Sequence, residues 1–319
     1  MNSTRIVRVA QKSGETADVS SFELVDPDGQ SLPPFSAGAH IDVHIEPKLV
    51  RQYSLCNFPG ESHRYQIAVL KDAQSRGGSV AMHAMAVGQT LRISNPKNHF
   101  ALAHSAKHSV LVAGGIGITP ILCMAERLSA IGASFELHYC TRSADRTAFA
   151  DRIRASAFAE RVQFHHDDGT DAQKFNARSS MAAPIDGSHL YVCGPTGFMD
   201  WVLGVARELG WPEDGLHREY FAAAPVDTTS DGSFEVQVSS TGALIRVAAN
   251  QSVVAALAVA GIEVPTSCEQ GVCGTCLTRV IEGIPDHRDA YLTPHEQALG
   301  DQFLPCCSRA KSPRLVLDI

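Results

Sequence analysis

The sequence predicts a chain of three parts: an antiparallel β-barrel, a parallel α/β domain, and a small α+β domain that carries a cysteine cluster. Three observations predict it. Short alternating strand patterns crowd residues 1–104, strand and helix patterns take turns over 105–225, and five of the nine cysteines fall after residue 267. At 319 residues, 44% hydrophobic and 19% charged, the chain has the length and apolar content for several globular cores. A net charge of −7 with no long basic run argues against nucleic acid as a partner, because phosphate neutralisation needs clustered Lys and Arg. The start, MNSTRIVRVAQKSGETADV, holds no apolar core of signal-peptide length. The longest apolar stretch, VVAALAVAGI (253–262), is too short to cross a bilayer. The expectation is a cytoplasmic protein that needs no membrane, with thiols kept reduced and structural disulfides disfavoured.

In the first part, HIDVHI (40–45) alternates Ile41, Val43 and Ile45 with polar residues, the mark of a half-buried strand. RIVRVA, SFELV, RYQIAVL and TLRIS are similar runs separated by turn-forming residues, and several such strands in close succession suit an antiparallel barrel. In the second part, HSVLVAG, SFELHYC, RVQFHH and HLYVCG read as strands with longer segments between them. ILCMAERLSAIG (121–132) places Ile121, Met124, Ala125 and Leu128 on one helical face and stops at Gly132. Strand–helix–strand repetition predicts a parallel sheet. FAAAPVDTTSDGS (221–233) reads as a linker. Beyond it come FEVQV, LIRV and a helix, QSVVAALAVAG, with Val253, Val254 and Leu257 on one face. The predicted domains are 1–104, 105–225 and 226–319.

The cysteine cluster carries the most specific chemistry. Cys268, Cys273 and Cys276 have C-x4-C-x2-C spacing, with a fourth thiol far downstream at Cys306 or Cys307. That is the ligand pattern of a plant-type [2Fe–2S] centre: three thiolates on one tight loop wrap the cluster and a distant segment supplies the last. Gly271, Gly274 and Thr275 are small enough to let backbone N–H groups approach the sulfurs. Structural zinc usually takes paired short knuckles, and only one C-x2-C pair occurs here. A Rieske-type cluster in this chain is excluded, since no C-x-H pair exists.

Two glycine turns follow strands. In GGIGITP (114–120), Gly114, Gly115 and Gly117 permit a tight turn, and Thr119 and Pro120 fit a helix cap and the first helical position. Such a helix start suits a pyrophosphate, although a ligand-free strand-to-helix turn has the same composition. CGPTG (193–197) is the second, and two turns at strand ends fit a crevice at the carboxyl edge of a sheet. In RQYSLCN (51–57), alternation sends Arg51, Tyr53 and Leu55 to one face and Gln52, Ser54 and Cys56 to the other. RGGS (76–79) precedes a short helical run and suits a phosphate, or is an ordinary glycine loop. HH (165–166), at the end of a strand, reads as exposed. DHRD (286–289) reads as holding the inter-ligand loop by local hydrogen bonds.

The ordered set (the RxYSL strand, RGGS, GGIGITP, CGP, Glu219-Tyr220-Phe221 and the C-terminal cysteines) resembles the phthalate dioxygenase reductase family, the vanillate O-demethylase reductases among them, over nearly the whole chain. The resemblance implies an FMN-binding barrel, an NAD-binding α/β domain and a β-grasp ferredoxin domain. It implies an enzyme that moves electrons from NADH through FMN and a [2Fe–2S] centre to a terminal Rieske-type oxygenase of aromatic catabolism. Arg51, Tyr53, Ser54, Leu70, Lys71, Gly77, Gly78 and Ser79 fall at its flavin positions, with Phe221 over the flavin face. Gly115, Gly117, Thr119, Cys193, Gly194 and Pro195 fall at its nicotinamide-nucleotide positions. Cys193, Glu219 and Phe221 are placed at the nicotinamide–flavin contact, with no acid or base catalyst implied. The S-R-A after the final cysteines selects Cys306 as fourth ligand beside Cys268, Cys273 and Cys276. Gln52 departs from the Thr expected after Arg51. On residues alone the flavin and the nucleotide stay open: Arg142 and Arg146 suit a 2′-phosphate, and Asp145 opposes one. Two other readings also stay open, an FAD-dependent NAD(P)H reductase of another monooxygenase and a non-enzymatic electron-carrier or zinc module.

Overall fold

A computed structural model gives the fold over residues 4–46, 49–73, 75, 77–221, 228–229 and 231–319. Arg76 of the RGGS loop and linker residues 222–227 and 230 lie outside the described residues. The chain divides into two compact units, Met1–Glu219 and Tyr220–Ile319.

The first unit holds two sheets. β1 (Thr4–Gly14), β2 (Val19–Val25), β3 (His40–Glu46), β4 (Leu49–Ser54), β5 (Tyr65–Leu70) and β6 (Thr90–Ser94) pair antiparallel in the order β4-β3-β6-β1-β2-β5. A bridge from Leu55 to Ile67 brings the end strands together, so the sheet is a nearly closed barrel with few open edges. Ile41 and Val43 are fully buried in its core with Val7, Phe22 and Ile67, as the alternation of HIDVHI requires. A short helix, α1 (Gly78–Ala84), adds Met82 to that core.

The second sheet is built from β7 (His108–Gly114), α2 (Ile118–Ala130), β8 (Phe135–Thr141), α3 (Ala150–Arg154), β9 (Val162–His166), α4 (Ala177–Met181), β10 (Ser188–Cys193), α5 (Thr196–Glu208) and β11 (Leu216–Glu219). All its pairs are parallel, in the order β11-β10-β7-β8-β9. The chain winds outward from β7 to β9, then returns to lay β10 on the other flank of β7. The order therefore reverses between β7 and β10, and a reversal of this kind opens a crevice at the carboxyl ends of the strands. Ile121, Met124, Ala125 and Leu128 of α2 are buried, and so are Leu122 and Cys123. More than one side of this helix is covered because its core also takes in Val19, Cys56 and Ala68 from the barrel. Polar bonds reinforce that seam. Arg152 on α3 donates to Glu126 Oε1 on α2 (2.6 Å), to Gln66 Oε1 on β5 (2.6 Å) and to the Cys56 carbonyl (3.0 Å).

Two expectations need correction. Thr119 is not the helix cap and Pro120 does not open the helix. A 3-10 turn over Gly115–Gly117 starts the helical run earlier, Gly117 takes the cap position, and the Thr119 hydroxyl instead donates to the Ile116 carbonyl at 3.1 Å. The HH pair is not exposed either. His165 is buried against His138 of β8, with Nε2 to Nδ1 at 3.1 Å, and burial pushes the His138 pKa down to about 4.

The second unit comprises β12 (Phe234–Val238), β13 (Leu244–Val247), α6 (Val253–Val259), β14 (Thr278–Glu282), β15 (Pro285–Asp286), α7 (Pro294–Leu299), β16 (Gln302–Phe303), β17 (Arg309–Ala310) and β18 (Arg314–Leu317). Its mixed sheet has the order β13-β12-β18-β14-β16, with β12 and β18 parallel. Ser252 caps α6 by accepting from the Ala255 N–H, and the helix buries Val253, Ala256 and Leu257 on the sheet. Ala256 takes the buried place read for Val254, which is half-buried.

Candidate functional site

In the first unit the RxYSL run occupies β4 and its exit. Alternation separates the side chains as expected. Tyr53 packs at the margin of the barrel core and Leu55 lies inside it, while Gln52 donates to Asp42 Oδ1 at 3.0 Å on the opposite face. The departure at Gln52 therefore serves the β3–β4 pair. Arg51 meets the RGGS loop: a Cβ on Gly78 would stand 2.7 Å from Arg51 Cγ, so only glycine admits the arginine stem there. Gly77, at φ +93°, takes a backbone turn that other residues rarely adopt. Ser79 Oγ accepts the Asp72 N–H at 3.2 Å and donates to Ser75. Leu70 ends β5 and is exposed, and the Lys71 N–H donates to the Asp18 carbonyl at 2.7 Å.

The two glycine turns, distant in sequence, abut at the switch point. A Cβ on Gly117 would collide with the Cys193 carbonyl and lie 2.6 Å from Gly194 N. A Cβ on Gly194 would lie 3.0 Å from Gly114 Cα, and one on Gly114 would meet Phe198 and Pro195. Gly115 has φ +54° with open space where a side chain would be. The result is close backbone packing between the two turns at the carboxyl ends of β7 and β10, the place where an open α/β sheet admits a nucleotide. Thr119 is buried just inside α2, and Pro195 caps α5. Of the basic residues after β8, Arg146 pairs with Asp18 at 2.8 Å and Arg142 is exposed.

A third contact joins barrel and sheet. Ser54 Oγ donates to Glu219 Oε2 at 3.0 Å, across 165 residues of sequence. Glu219 ends β11 directly beside Cys193 in the parallel register, and the Cys193 thiol donates to the Glu219 carbonyl at 3.4 Å. Glu219 is half-buried overall with its carboxyl enclosed. Burial raises its pKa to about 7, and the Ser54 hydrogen bond pulls it back. Burial likewise holds the Cys193 thiol protonated, well above the usual thiol range. The resemblance put Cys193 and Glu219 at one contact, but sequence reasoning did not find the Ser54–Glu219 bond. Tyr220 and Phe221 begin the second unit, where Phe221 is exposed.

In the second unit, Cys268, Cys273 and Cys276 are buried on the loop between α6 and β14, and Cys306 and Cys307 lie half-buried before β17. The Cys268 and Cys273 thiols are neighbours, and both Cys276 and Cys307 neighbour Cys306; these contacts hold the Cys273 and Cys306 thiols below the usual range. Thiols on one loop with others on a later segment suit a two-iron cluster, which takes four thiolates, two to each iron. Backbone geometry supports the loop. The Gln270 N–H donates to Cys268 Sγ at 3.3 Å, and Thr275 Oγ1 bonds Cys273 Sγ at 3.3 Å. Cys307 also approaches Cys306; its Sγ occupies the space a Cβ on Gly271 would need, and it donates weakly to the Leu304 carbonyl at 3.7 Å. DHRD braces the loop from behind. Arg288 holds Asp231 and Asp286, while Asp289 accepts from the Leu292 N–H at 2.8 Å and from Ser308 at 3.3 Å.

A parallel sheet whose strand order reverses between two glycine turns, packed beside a barrel, and a cysteine loop with plant-type spacing together fit an iron–sulfur reductase fed by a nucleotide. Residues 236–311 match the model of the 2Fe-2S iron–sulfur cluster binding domain, and 92–216 match that of the N-terminal domain of dimethylamine monooxygenase subunit DmmA-like proteins. The chain is 57% identical over 303 residues to a vanillate O-demethylase oxidoreductase of Pseudomonas sp. (strain HR199 / DSM 7063), covering 95% of this chain and 96% of that protein. It is 41% identical over 315 residues to phthalate dioxygenase reductase of Burkholderia cepacia, covering 98% and 97%. A solved phthalate dioxygenase reductase, described as a modular structure for electron transfer from pyridine nucleotides to [2Fe–2S], superposes with a TM-score of 0.78 at 40% identity, covering 99% of this chain and 98% of that one. The chain belongs to the phthalate dioxygenase reductase family. It is an oxidoreductase with a C-terminal 2Fe–2S domain, of the kind that serves as the reductase component of an oxygenase system.

Proposed function

We propose that this chain is the NADH-dependent reductase of a Rieske-type aromatic oxygenase or O-demethylase and works in the cytoplasm. The three parts are an FMN barrel over 1–104, an NAD domain over 105–225 and a ferredoxin domain over 226–319. FMN, when bound, would supply two-electron chemistry as acceptor of one hydride from NADH, and the [2Fe–2S] centre would supply one-electron transfer toward the terminal oxygenase, so a two-electron donor could serve a one-electron acceptor. The chain's own residues bind, orient and seal. Arg51, Gly77, Gly78 and Ser79 hold the flavin phosphate, with Tyr53, Ser54, Leu70 and Lys71 along the flavin and Phe221 over its exposed face. Gly115, Gly117, Thr119, Cys193, Gly194 and Pro195 form the nucleotide wall. Cys268, Cys273, Cys276 and Cys306 hold the cluster, a choice supported by the nearness of Cys276 to Cys306 and by the S-R-A that follows the last cysteines.

One observation carries this reading. The Ser54–Glu219 bond ties the strand bearing Arg51 to the sheet edge bearing Cys193, so the flavin and nucleotide positions adjoin as hydride transfer requires. The test is anaerobic addition of NADH to the purified, reddish-brown protein. Flavin and cluster absorbance should both bleach, with NADH preferred to NADPH and FMN released on denaturation. A colourless zinc protein, or a clear preference for NADPH, would overturn it.

A further inference from the structure

A cavity of about 410 Å³ opens in the first unit at the C-terminal end of α2, and none of its lining residues belongs to the flavin or nucleotide positions. α2 has 13 residues, so about 20 Å of helix separates this end from the Gly117 turn. The walls come from barrel loops at Phe35 and Pro59, from the segment joining barrel to sheet at Leu102, and from Leu128 and Ile131 at the helix end. Alanines 101, 103, 106 and 133 supply much of the remaining lining and leave the space unfilled. Ile131 is 54% exposed here, although Leu128 one turn before it is buried. A volume in the range of small-molecule pockets, roughly 300–1,000 Å³, exceeds any ordinary packing defect.

The polar lining is sparse and carries one sign of charge. Arg127, in the last turn of α2, makes no side-chain hydrogen bond or ion pair among the described residues. Nearby arginines are committed, Arg152 to Glu126 and Arg161 to the Ala133 carbonyl. No Asp or Glu lines the cavity among the described residues. His104 and Ser36 complete the polar set. Ser36 Oγ accepts from Asn98 at 2.7 Å, which leaves its own hydrogen to donate. The last carbonyls of α2 are already satisfied: the N–H groups of Ile131, Ala133 and Gly132 donate to Arg127, Leu128 and Ser129. An unpaired guanidinium beside apolar walls suits a carboxylate on an apolar body. Phe35 is held edge-on to Tyr65, ring centroids 5.5 Å apart, so one wall is a fixed aromatic ring. Such a wall favours a planar ring, which also loses less freedom on binding than a flexible chain.

We propose that this cavity binds a small aromatic carboxylate, with its ring against Phe35 and Leu102 and its carboxylate on Arg127. The site takes its walls from barrel, connecting segment and helix at once, so its occupant stabilises the seam between them.

The experiment titrates benzoate into the purified holoprotein, followed by isothermal calorimetry and by melting temperature. Wild type should bind with a Kd of roughly 0.1–1 mM and melt higher at saturation. Arg127→Gln should raise the Kd about tenfold or more, the loss expected for a hydrogen bond to a charged group. Benzyl alcohol, which keeps the ring and lacks the charge, should bind wild type and Arg127→Gln alike. Ala101→Phe fills the cavity from an exposed position and should abolish binding. Both variants should keep flavin and cluster absorbance and NADH-dependent ferricyanide reduction. No binding by wild type at about 10 mM benzoate, or binding that both variants retain, would overturn the proposal. So would displacement of benzoate by saturating NAD+, which would put it in the nucleotide crevice. Hexanoate bound as tightly as benzoate would overturn the assignment of an aromatic ligand.

Discussion

The nucleotide crevice of the first unit and the cysteine loop of the second are built on opposite plans. The crevice is made by what is missing. Gly114, Gly117 and Gly194 lie so close that any side chain would strike a neighbouring backbone or ring. The cysteine loop is made by what is present, with thiols at fixed spacing that pair across the loop and to a later segment. A site made of backbone proximity tolerates no added atoms. A site made of side chains tolerates changes between the ligands but not of them.

Substitutions test that contrast, from the largest effect to the smallest. Cys276→Ser should abolish the cluster, read as loss of its visible absorbance and electron paramagnetic resonance signal, while NADH still bleaches the flavin. Cys307→Ser should keep both. A cluster lost with Cys307→Ser but kept with Cys306→Ser would mean the fourth ligand is misassigned. Gly117→Ala should do the reverse. Its methyl meets the Cys193 carbonyl, and such overpacking costs about 1–3 kcal/mol, so melting temperature and the rate of flavin reduction by NADH should fall while cluster absorbance stays. Equal losses in both units would mean the two plans are not separable.

Ser54→Ala should act more gently, through Glu219. With its pKa raised to about 7, this carboxyl favours the protonated folded state. Its contribution to stability is complete below the ordinary carboxylate range and is lost as pH rises through about 7. Without the Ser54 donor the folded pKa climbs further, so the loss and any matching limb in the pH profile of flavin reduction should move to higher pH. A profile that does not move would remove Glu219 from the nicotinamide–flavin contact. The smallest effect belongs to Thr293→Ala. Thr293 and Glu296 form a reciprocal capping box at the start of α7, beyond the cluster loop, and its loss should cost about 1 kcal/mol in chemical denaturation without altering the cluster spectrum.

The strands of both sheets were readable because alternation and apolar runs are local properties. HIDVHI buried Ile41 and Val43 as its period named, with Ile45 half-buried and His40 and Asp42 buried as well, and ILCMAERLSAIG buried its predicted face. Errors came where distant parts intervened. Val254 lost its buried place to Ala256, and the start of α2 moved forward because Gly115–Gly117 coils tightly beneath the β10 turn. His165 looked like an exposed strand end until β8 brought His138 against it.

By itself the sequence determined the fold class and the kind of cluster, since C-x4-C-x2-C spacing acts within one short loop and strand periods act within single elements. Only the tertiary structure decided that Cys276 and Cys307 both approach Cys306, that the two glycine turns abut, and that Ser54 reaches Glu219. The physical reason is range. A contact across 165 residues is set by strand order and sheet packing, and no local spacing records it.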